Sequence, residues 1–195
     1  MGKIFCIMGK SSTGKDTIYK ALLAEESLHL KRIIPYTTRP IRAGEQNGVE
    51  YYFTDDSQVQ KLEEENKIIE LRSYDTFYGA WKYFTVNDDQ INLEKSDYLV
   101  IGTPESYLSM QKYFGEEKTE AILITLDDGI RLQRALNREK KQATPKYEEM
   151  CRRFLADAQD FAEDKIRECK ITKSFANDDL KQCIASIKKY IQENR

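Results

Sequence analysis

The sequence predicts an α/β protein with a central parallel sheet, helices on both faces of that sheet, and two insertions. Three observations lead to this fold class. Short apolar runs of the kind buried in parallel sheets recur along the chain, as at residues 3–8. Charged, helix-forming segments separate these runs, which is the alternation typical of a doubly wound fold. A glycine-rich turn follows the first run, and 195 residues suffice for one compact unit with a sizeable core.

The secondary-structure elements follow from local patterns. Turn signals around short aromatic runs make residues 41–80 a small mixed β insert. The last helix is predicted because Leu180, Ile184, Ile187 and Ile191 share one face. The expected elements are a strand at 3–8, a helix at 15–26, strands within 49–53, a helix near 57–66, strands at 98–101 and 121–126, an arginine-rich helix after 128, a basic helix after 145, a strand at 171–175 and a helix at 179–194.

The turn after the first strand carries the most specific motif. Residues 9–15 read Gly9-Lys10-Ser11-Ser12-Thr13-Gly14-Lys15 and fit G-x-x-x-x-G-K, the phosphate-binding loop. Glycines let the backbone N–H groups point at phosphate oxygens, and the N-terminus of the next helix adds positive field. We therefore expect residues 9–15 to bind ATP, with Lys15 reaching the β- and γ-phosphates. The alternative is an ordinary glycine-serine turn between strand and helix.

The position after the lysine departs from this motif. A serine or threonine is expected there as a Mg²⁺ ligand, and the chain has Asp16 followed by Thr17. An aspartate oxygen is a good ligand for Mg²⁺, but its charge opposes a polyphosphate unless the metal lies between them. Either Asp16 contacts Mg²⁺, or Thr17 supplies the hydroxyl; the second alternative is favoured, and most metal contacts are expected from ATP phosphates.

Composition excludes several classes of partner and site. The chain has 31 basic and 33 acidic residues, so no overall field favours a nucleic-acid polymer or a membrane. A single histidine and four scattered cysteines argue against a metal centre or a histidine-based triad. No apolar run approaches the length of a membrane span, and the first strand begins too early for a signal peptide. We expect a cytoplasmic protein, monomeric or homodimeric.

Two arginines in the insert form a candidate anion clamp. Arg39 and Arg42 are three residues apart beside Pro40, and such a pair can hold one phosphate from two directions. The stretch resembles the nucleotide-binding segment of guanylate kinases, T-T-R-x-x-R-x-G-E-x-x-G-x-[DE]-Y-x-F, at every fixed position from 37 to 53. Residues 68–70, 77–79 and 176–180 resemble further motifs of that family in the same order.

The resemblance implies a nucleoside monophosphate kinase that uses ATP and Mg²⁺, with GMP as the expected acceptor. It implies a three-layer P-loop kinase core at 1–34, 83–127 and 151–195, a nucleotide-binding insert at 35–82 and a lid at 128–150. Asn177 would lie near the adenine of ATP, and Glu70 would accept hydrogen bonds from guanine. The acceptor phosphate would be held by four residues, namely Arg39, Arg42, Tyr51 and Tyr78, and Glu45 would orient the two arginines.

Arginines of the implied lid are the catalytic candidates beside Lys15. Arg131, Arg134 and Arg138 recur at i, i+3 and i+7, a spacing that puts them on one helical face. Such a stripe is usually solvated, but arginines that close over a transferring phosphoryl group stabilise its charge. Arg138 and Arg153 are the first candidates, followed by Arg134.

Some positions depart from the family at the expected base site. Pro35 and Ala80 replace hydroxyl residues, and Val100 and Gly102 replace two acidic residues. Three alternatives remain open: GMP with compensating contacts, a different or broader set of nucleoside monophosphates, or a non-catalytic guanylate-kinase-like binding module.

Overall fold

The computed structural model describes residues 1–42, 44–76 and 79–195 and confirms the predicted fold class. Two short 3₁₀ turns lie at Glu26–Leu28 and Glu116–Lys118. The strands are β1 (Ile4–Met8), β2 (Lys31–Arg32), β3 (Tyr36–Thr37), β4 (Tyr52–Phe53), β5 (Ile68–Thr76), β6 (Gly79–Val86), β7 (Tyr98–Gly102), β8 (Thr119–Thr125) and β9 (Ser174–Ala176). The helices are α1 (Lys15–Leu23), α2 (Asp56–Glu64), α3 (Pro104–Phe114), α4 (Asp128–Glu139), α5 (Tyr147–Asp160), α6 (Glu163–Glu168) and α7 (Leu180–Glu193).

The main sheet has five parallel strands in the order β2-β7-β1-β8-β9. Alternate residues of the fully buried β1 face opposite sides of the sheet. Phe5 and Ile7 pack with α1 and α7, whereas Cys6 and Met8 pack with α3 and the segment around Cys169. Helices therefore cover both faces, which gives the expected three layers.

A second, mixed sheet contains four strands in the order β4-β3-β6-β5. The β5–β6 hairpin is its largest part, and Glu70 lies opposite Thr85 in the hairpin. Val59 and Leu62 of α2 pack on Phe84 and Val86, so this sheet has a small core of its own. Its strands end at Val86, which places them between β2 and β7 in the chain.

Three predicted boundaries were wrong, each for a local reason. Helix α1 ends at Leu23 because residues 26–28 turn into 3₁₀ geometry. Only the last two residues of 49–53 form a strand, since Gly48 adopts a φ of 78° and its N–H donates to Tyr51 O at 2.8 Å. The last strand begins at Ser174, which lies opposite Leu123 of β8.

The carboxyl ends of the parallel strands bring four segments to one edge of the main sheet. The loop 9–14 follows β1, Thr103 follows β7, Asp127 follows β8 and Asn177 follows β9. Ligands of open α/β sheets bind in the crevice outside these strand ends. In the described ranges, no helix combines the length and apolarity needed to span a bilayer.

Candidate active site

The loop between β1 and α1 has the backbone geometry of an anion cradle. Gly14 is left-handed, with a φ of 92°, and a Cβ there would lie 2.4 Å from Nδ2 of Asn177. Asn177 is buried and donates from Nδ2 to Thr13 O at 2.7 Å, which fixes the loop from beneath. Within the described chain, Ser12 Oγ and Asn177 Oδ1 are buried without a hydrogen-bond partner. Orphaned polar atoms here fit a site that is completed by a nucleotide.

Lys15 is the first residue of α1 and is half-buried, while Asp16 and Thr17 are exposed in the same first turn. The described residues contain no group of three or more metal-ligating side chains. That Mg²⁺ takes most of its ligands from the ATP phosphates stays a prediction. The choice between Asp16 and Thr17 stays a prediction.

A buried ion pair ties the loop to the helices that follow β8. The Asp157 carboxylate of α5 accepts hydrogen bonds from Ser11 N at 2.7 Å and Ser11 Oγ at 3.2 Å. Arg131 of α4 donates to Asp157 at 2.9 Å and to Ser11 O at 2.9 Å, and it also pairs with Asp128. The Arg131 guanidinium lies 4.9 Å from the ring centre of Phe154. The loop and both helices thus share one buried charge network.

The other lid arginines differ from Arg131. Arg131 is 1% exposed, whereas Arg134 and Arg138 are exposed, so the predicted single face divides into a buried and a solvated part. Arg134 lies over the loop, since its Nη1 is 3.9 Å from the Cβ position of Gly14. Arg153 is half-buried on α5. Among the described residues, none of Arg134, Arg138 and Arg153 forms an ion pair, which leaves their charges available to a ligand.

The anion clamp of the insert is built around a bidentate pair. Arg39 is 3% exposed and donates from both terminal nitrogens to Glu45, at 2.8 and 2.9 Å. Glu45 also accepts from the backbone N–H of Arg42 at 2.8 Å, and the Arg42 side chain is exposed. The hydrogen bonds from Arg39 hold the pKa of Glu45 below its usual range. Glu45 therefore fixes one arginine of the clamp and the backbone of the other.

Tyr51 packs beside the buried arginine of the clamp. Its ring centre lies 5.4 Å from the Arg39 guanidinium, and burial raises the pKa of its hydroxyl, with Asp16 contributing through its charge. The phenol therefore stays neutral and can donate a hydrogen bond. Tyr78, the remaining residue predicted to bind this phosphate, lies outside the described residues.

Glu70 lies at the bottom of the insert beside a residue that sequence reasoning missed. Its side chain is 2% exposed and accepts from Thr85 Oγ1 at 2.8 Å and from Arg72 Nε at 2.9 Å. Arg72 also reaches Oγ1 of Thr103, at the carboxyl end of β7, at 3.5 Å. Burial alone would lower the pKa of the Arg72 guanidinium, but Glu70, together with Tyr74 and Tyr51, raises that pKa above its usual value. A signal for Arg72 was available, since residues i and i+2 of a strand face the same side.

The departures from the family pattern have structural counterparts at two positions. A Cβ at Gly102 would lie 2.5 Å from Ser106 Oγ and 2.8 Å from Cys6 Sγ, so a larger residue there would require these two side chains to move. Ala80 pairs with Asp75, five residues along β5 from Glu70, and is exposed.

Asp157 is a further functional candidate that the sequence did not reveal, because its partners are distant in the chain.

Sequence comparisons identify known proteins that are similar to this chain. A family model described as guanylate kinase matches residues 1–194. A guanylate kinase of Caldanaerobacter subterraneus subsp. tengcongensis is 34% identical over 155 residues, which cover 78% of this chain and 70% of that protein. A guanylate kinase of Porphyromonas gingivalis is 29% identical over 196 residues, covering 99% and 98% of the two chains.

A solved structure shares the fold. The crystal structure of a guanylate kinase from Anaplasma phagocytophilum superimposes with a TM-score of 0.65 at 21% identity. The match covers 98% of this chain and 85% of that one. At this identity the likeness concerns the fold alone.

Proposed function

Because the chain belongs to the guanylate kinase family, we propose that it transfers the γ-phosphoryl group of ATP to GMP. The bond between the γ-phosphorus and the β–γ bridging oxygen breaks, and a bond to an oxygen of the GMP phosphate forms. The products are ADP and GDP. The enzyme is a nucleoside monophosphate kinase, as the sequence motifs predict.

One observation carries the assignment: the insert that bears the buried arginine clamp meets the main sheet at the edge that bears the phosphate loop. Arg72 of the insert lies 3.5 Å from Oγ1 of Thr103 at the end of β7, and β7 pairs with β1, which the phosphate loop follows. A donor polyphosphate on the loop and an acceptor phosphate on the clamp would therefore lie close together. Positioning of this kind supplies most of the catalysis in phosphoryl transfer.

Each predicted residue has a role in this reaction. Lys15 and the N–H groups of residues 9–15 would hold the ATP phosphates, while Arg39, Arg42 and Tyr51 would hold the GMP phosphate. The charge that spreads over the transferring group would be stabilised by Arg134, Arg138 and Arg153. Mg²⁺ bound to the ATP phosphates would neutralise part of that charge, with Asp16 or Thr17 beside it. The acceptor phosphate is already an anion, so the reaction needs no general base.

The finer predictions about this enzyme are part of the proposal. They are the division into a core at 1–34, 83–127 and 151–195, an insert at 35–82 and a lid at 128–150. They also include small-molecule nucleotides (ATP and GMP or another nucleoside monophosphate) as partners, no nucleic-acid polymer or membrane partner, a cytoplasmic location, and a monomer or homodimer.

The experiment is an ADP-release assay with MgATP and a panel of GMP, dGMP, AMP, CMP, UMP and IMP. We expect GMP-dependent turnover, and we expect Lys15→Ala to lower kcat by about 10²–10³-fold or more because the transferring charge loses its cation. Lys20→Ala, an exposed lysine later on the same helix, is the matched control and should leave kcat within twofold. Faster turnover with another nucleoside monophosphate would make that nucleotide the acceptor in place of GMP. ATP binding without turnover on any acceptor would favour a non-catalytic binding module.

A further inference from the structure

The buried Arg72–Glu70 pair is unusual for a region that folds around a small core. Glu70 and Arg72 are two residues apart on β5, and their side chains are 2% and 12% exposed. They are joined by a hydrogen bond from Nε to Oε2 at 2.9 Å and a longer one from Nη2 to Oε1 at 3.4 Å. Burying an ion pair is rarely favourable compared with apolar residues of the same size. Because the folded insert does not need the charges of Glu70 and Arg72 for its stability, a role in ligand binding explains why they are buried there.

The surroundings of the pair place it next to the expected acceptor. Arg72 reaches from the insert to Thr103 at the crevice edge of the main sheet, at 3.5 Å. Arg72 also lies opposite Tyr83 of β6, whose ring centre is 5.7 Å from that of Tyr51 beside the anion clamp. On its other side, Glu70 is held by Thr85 at 2.8 Å, so the carboxylate cannot turn away. The pair therefore lies between the phosphate clamp and the carboxyl end of β7, where the base of a bound nucleotide monophosphate would extend.

We propose that Arg72 reads the base of the acceptor, donating to the O6 and N7 acceptors of a 6-oxopurine while Glu70 accepts from N1–H and N2–H. This inference rests on the proposed function and names the residue that compensates for Pro35 and Ala80, which carry no side-chain donor. A guanidinium that spans O6 and N7 is the commonest specific contact to guanine. The carboxylate beside it matches the two donors that follow O6 on the same base.

The same pair rejects adenine through two mismatches. Adenine places its N6 amino donor where Arg72 donates, and its N1 acceptor where Glu70 accepts. Buried groups left unpaired in this way discriminate strongly between substrates. Arg72 is thus a specificity residue, and the phosphoryl transfer itself does not involve it.

Base analogues separate the two contacts. 7-Deaza-GMP has a C–H in place of N7 and probes Arg72, whereas IMP lacks the 2-amino group and probes Glu70. For the wild type, we expect kcat/KM to be about 10- to 100-fold lower for each analogue than for GMP. In Arg72→Met the ratio of GMP to 7-deaza-GMP should fall to near 1, while the ratio of GMP to IMP should persist. Arg72→Lys should behave similarly because lysine lacks the planar fork.

Thr85→Val is the matched control, because it removes the other partner of Glu70 and keeps Arg72. It should lower the GMP to IMP ratio and leave the GMP to 7-deaza-GMP ratio unchanged. If Arg72 only held Glu70 in place, Arg72→Met would lower the ratio of GMP to IMP and leave the ratio of GMP to 7-deaza-GMP unchanged. That result would overturn the inference. Equal kcat/KM values for 7-deaza-GMP and GMP in the wild-type enzyme would also overturn the inference. Absence of GMP turnover in the wild type would instead contradict the proposed function.

Discussion

The acceptor and donor halves of the cleft hold their buried arginines in different ways. In the insert, Arg39 pairs with Glu45 six residues later, and Arg72 pairs with Glu70 two residues earlier. On the predicted donor side, Arg131 pairs with Asp128 three residues earlier and also with Asp157, 26 residues away on another helix. The pairs of the insert are local and can form as the insert folds, whereas the Arg131–Asp157 pair depends on how α4, α5 and the loop pack together. That pair therefore couples the loop to the packing of α4 against α5.

The donor network also occupies part of the phosphate loop. Asp157 accepts from the backbone N–H and the hydroxyl of Ser11, two donors that could otherwise face a phosphate. A phosphate that takes either donor must displace the carboxylate. In the acceptor half, by contrast, Glu45 fixes Arg39 and leaves the exposed Arg42 side chain available. We therefore expect the predicted acceptor site to hold Arg39 in place before GMP binds, and we expect an ATP phosphate at Ser11 to displace the Asp157 carboxylate.

The largest test of this contrast is Glu45→Gln. Loss of the charged bidentate contact frees Arg39, and hydrogen bonds of this type contribute about 1.5–3 kcal/mol. We expect KM for GMP to rise by about 10- to 100-fold, with KM for MgATP within twofold. Steady-state kinetics with each substrate varied in turn give both values. Glu63→Gln, an exposed change on α2, is the control. Equal losses for both nucleotides would mean that the two halves are not independent.

The same contrast explains how far the sequence predicts the site. The loop at 9–15 and the Arg39–Glu45 clamp are short contiguous motifs, so residue spacing alone brings their groups together. Arg72 was within reach of the same reasoning, since a strand places it on the face of Glu70. Asp157 was not, because the contact to Ser11 spans 146 positions and depends on the docking of α5. The fold class was predictable for a similar reason: buried strands appear as contiguous apolar runs.

A smaller effect is expected for Asp157→Asn. The amide keeps the shape of the side chain but weakens the pairing with Arg131, and we expect the free energy of unfolding to fall by about 1–3 kcal/mol. Because a phosphate then meets a weaker competitor at Ser11, the Kd for ATP should fall several-fold. Urea unfolding and calorimetry of ATP binding measure the two quantities. Asp164→Asn, an exposed change on α6, is the control. Weaker ATP binding would show that Asp157 instead holds the loop in its binding conformation.

The smallest expected effect is on stability in acid, and it compares one carboxylate from each half. Hydrogen bonds from Arg39 lower the pKa of Glu45, and those from Arg131 lower the pKa of Asp128. A lowered pKa in the folded state stabilises the protein above the ordinary values of 4.5 and 3.8, and that stability is lost as pH falls through the folded-state pKa. Glu45 is 18% exposed and Asp128 57% exposed, so solvent screens the second pair more. We measure the free energy of unfolding from pH 6 to pH 3. Its loss over this range should be smaller in Glu45→Gln than in Asp128→Asn, and the difference between the two variants should be at most about 1 kcal/mol. The opposite order would show that the donor network, despite its exposed carboxylate, is the more strongly coupled of the two.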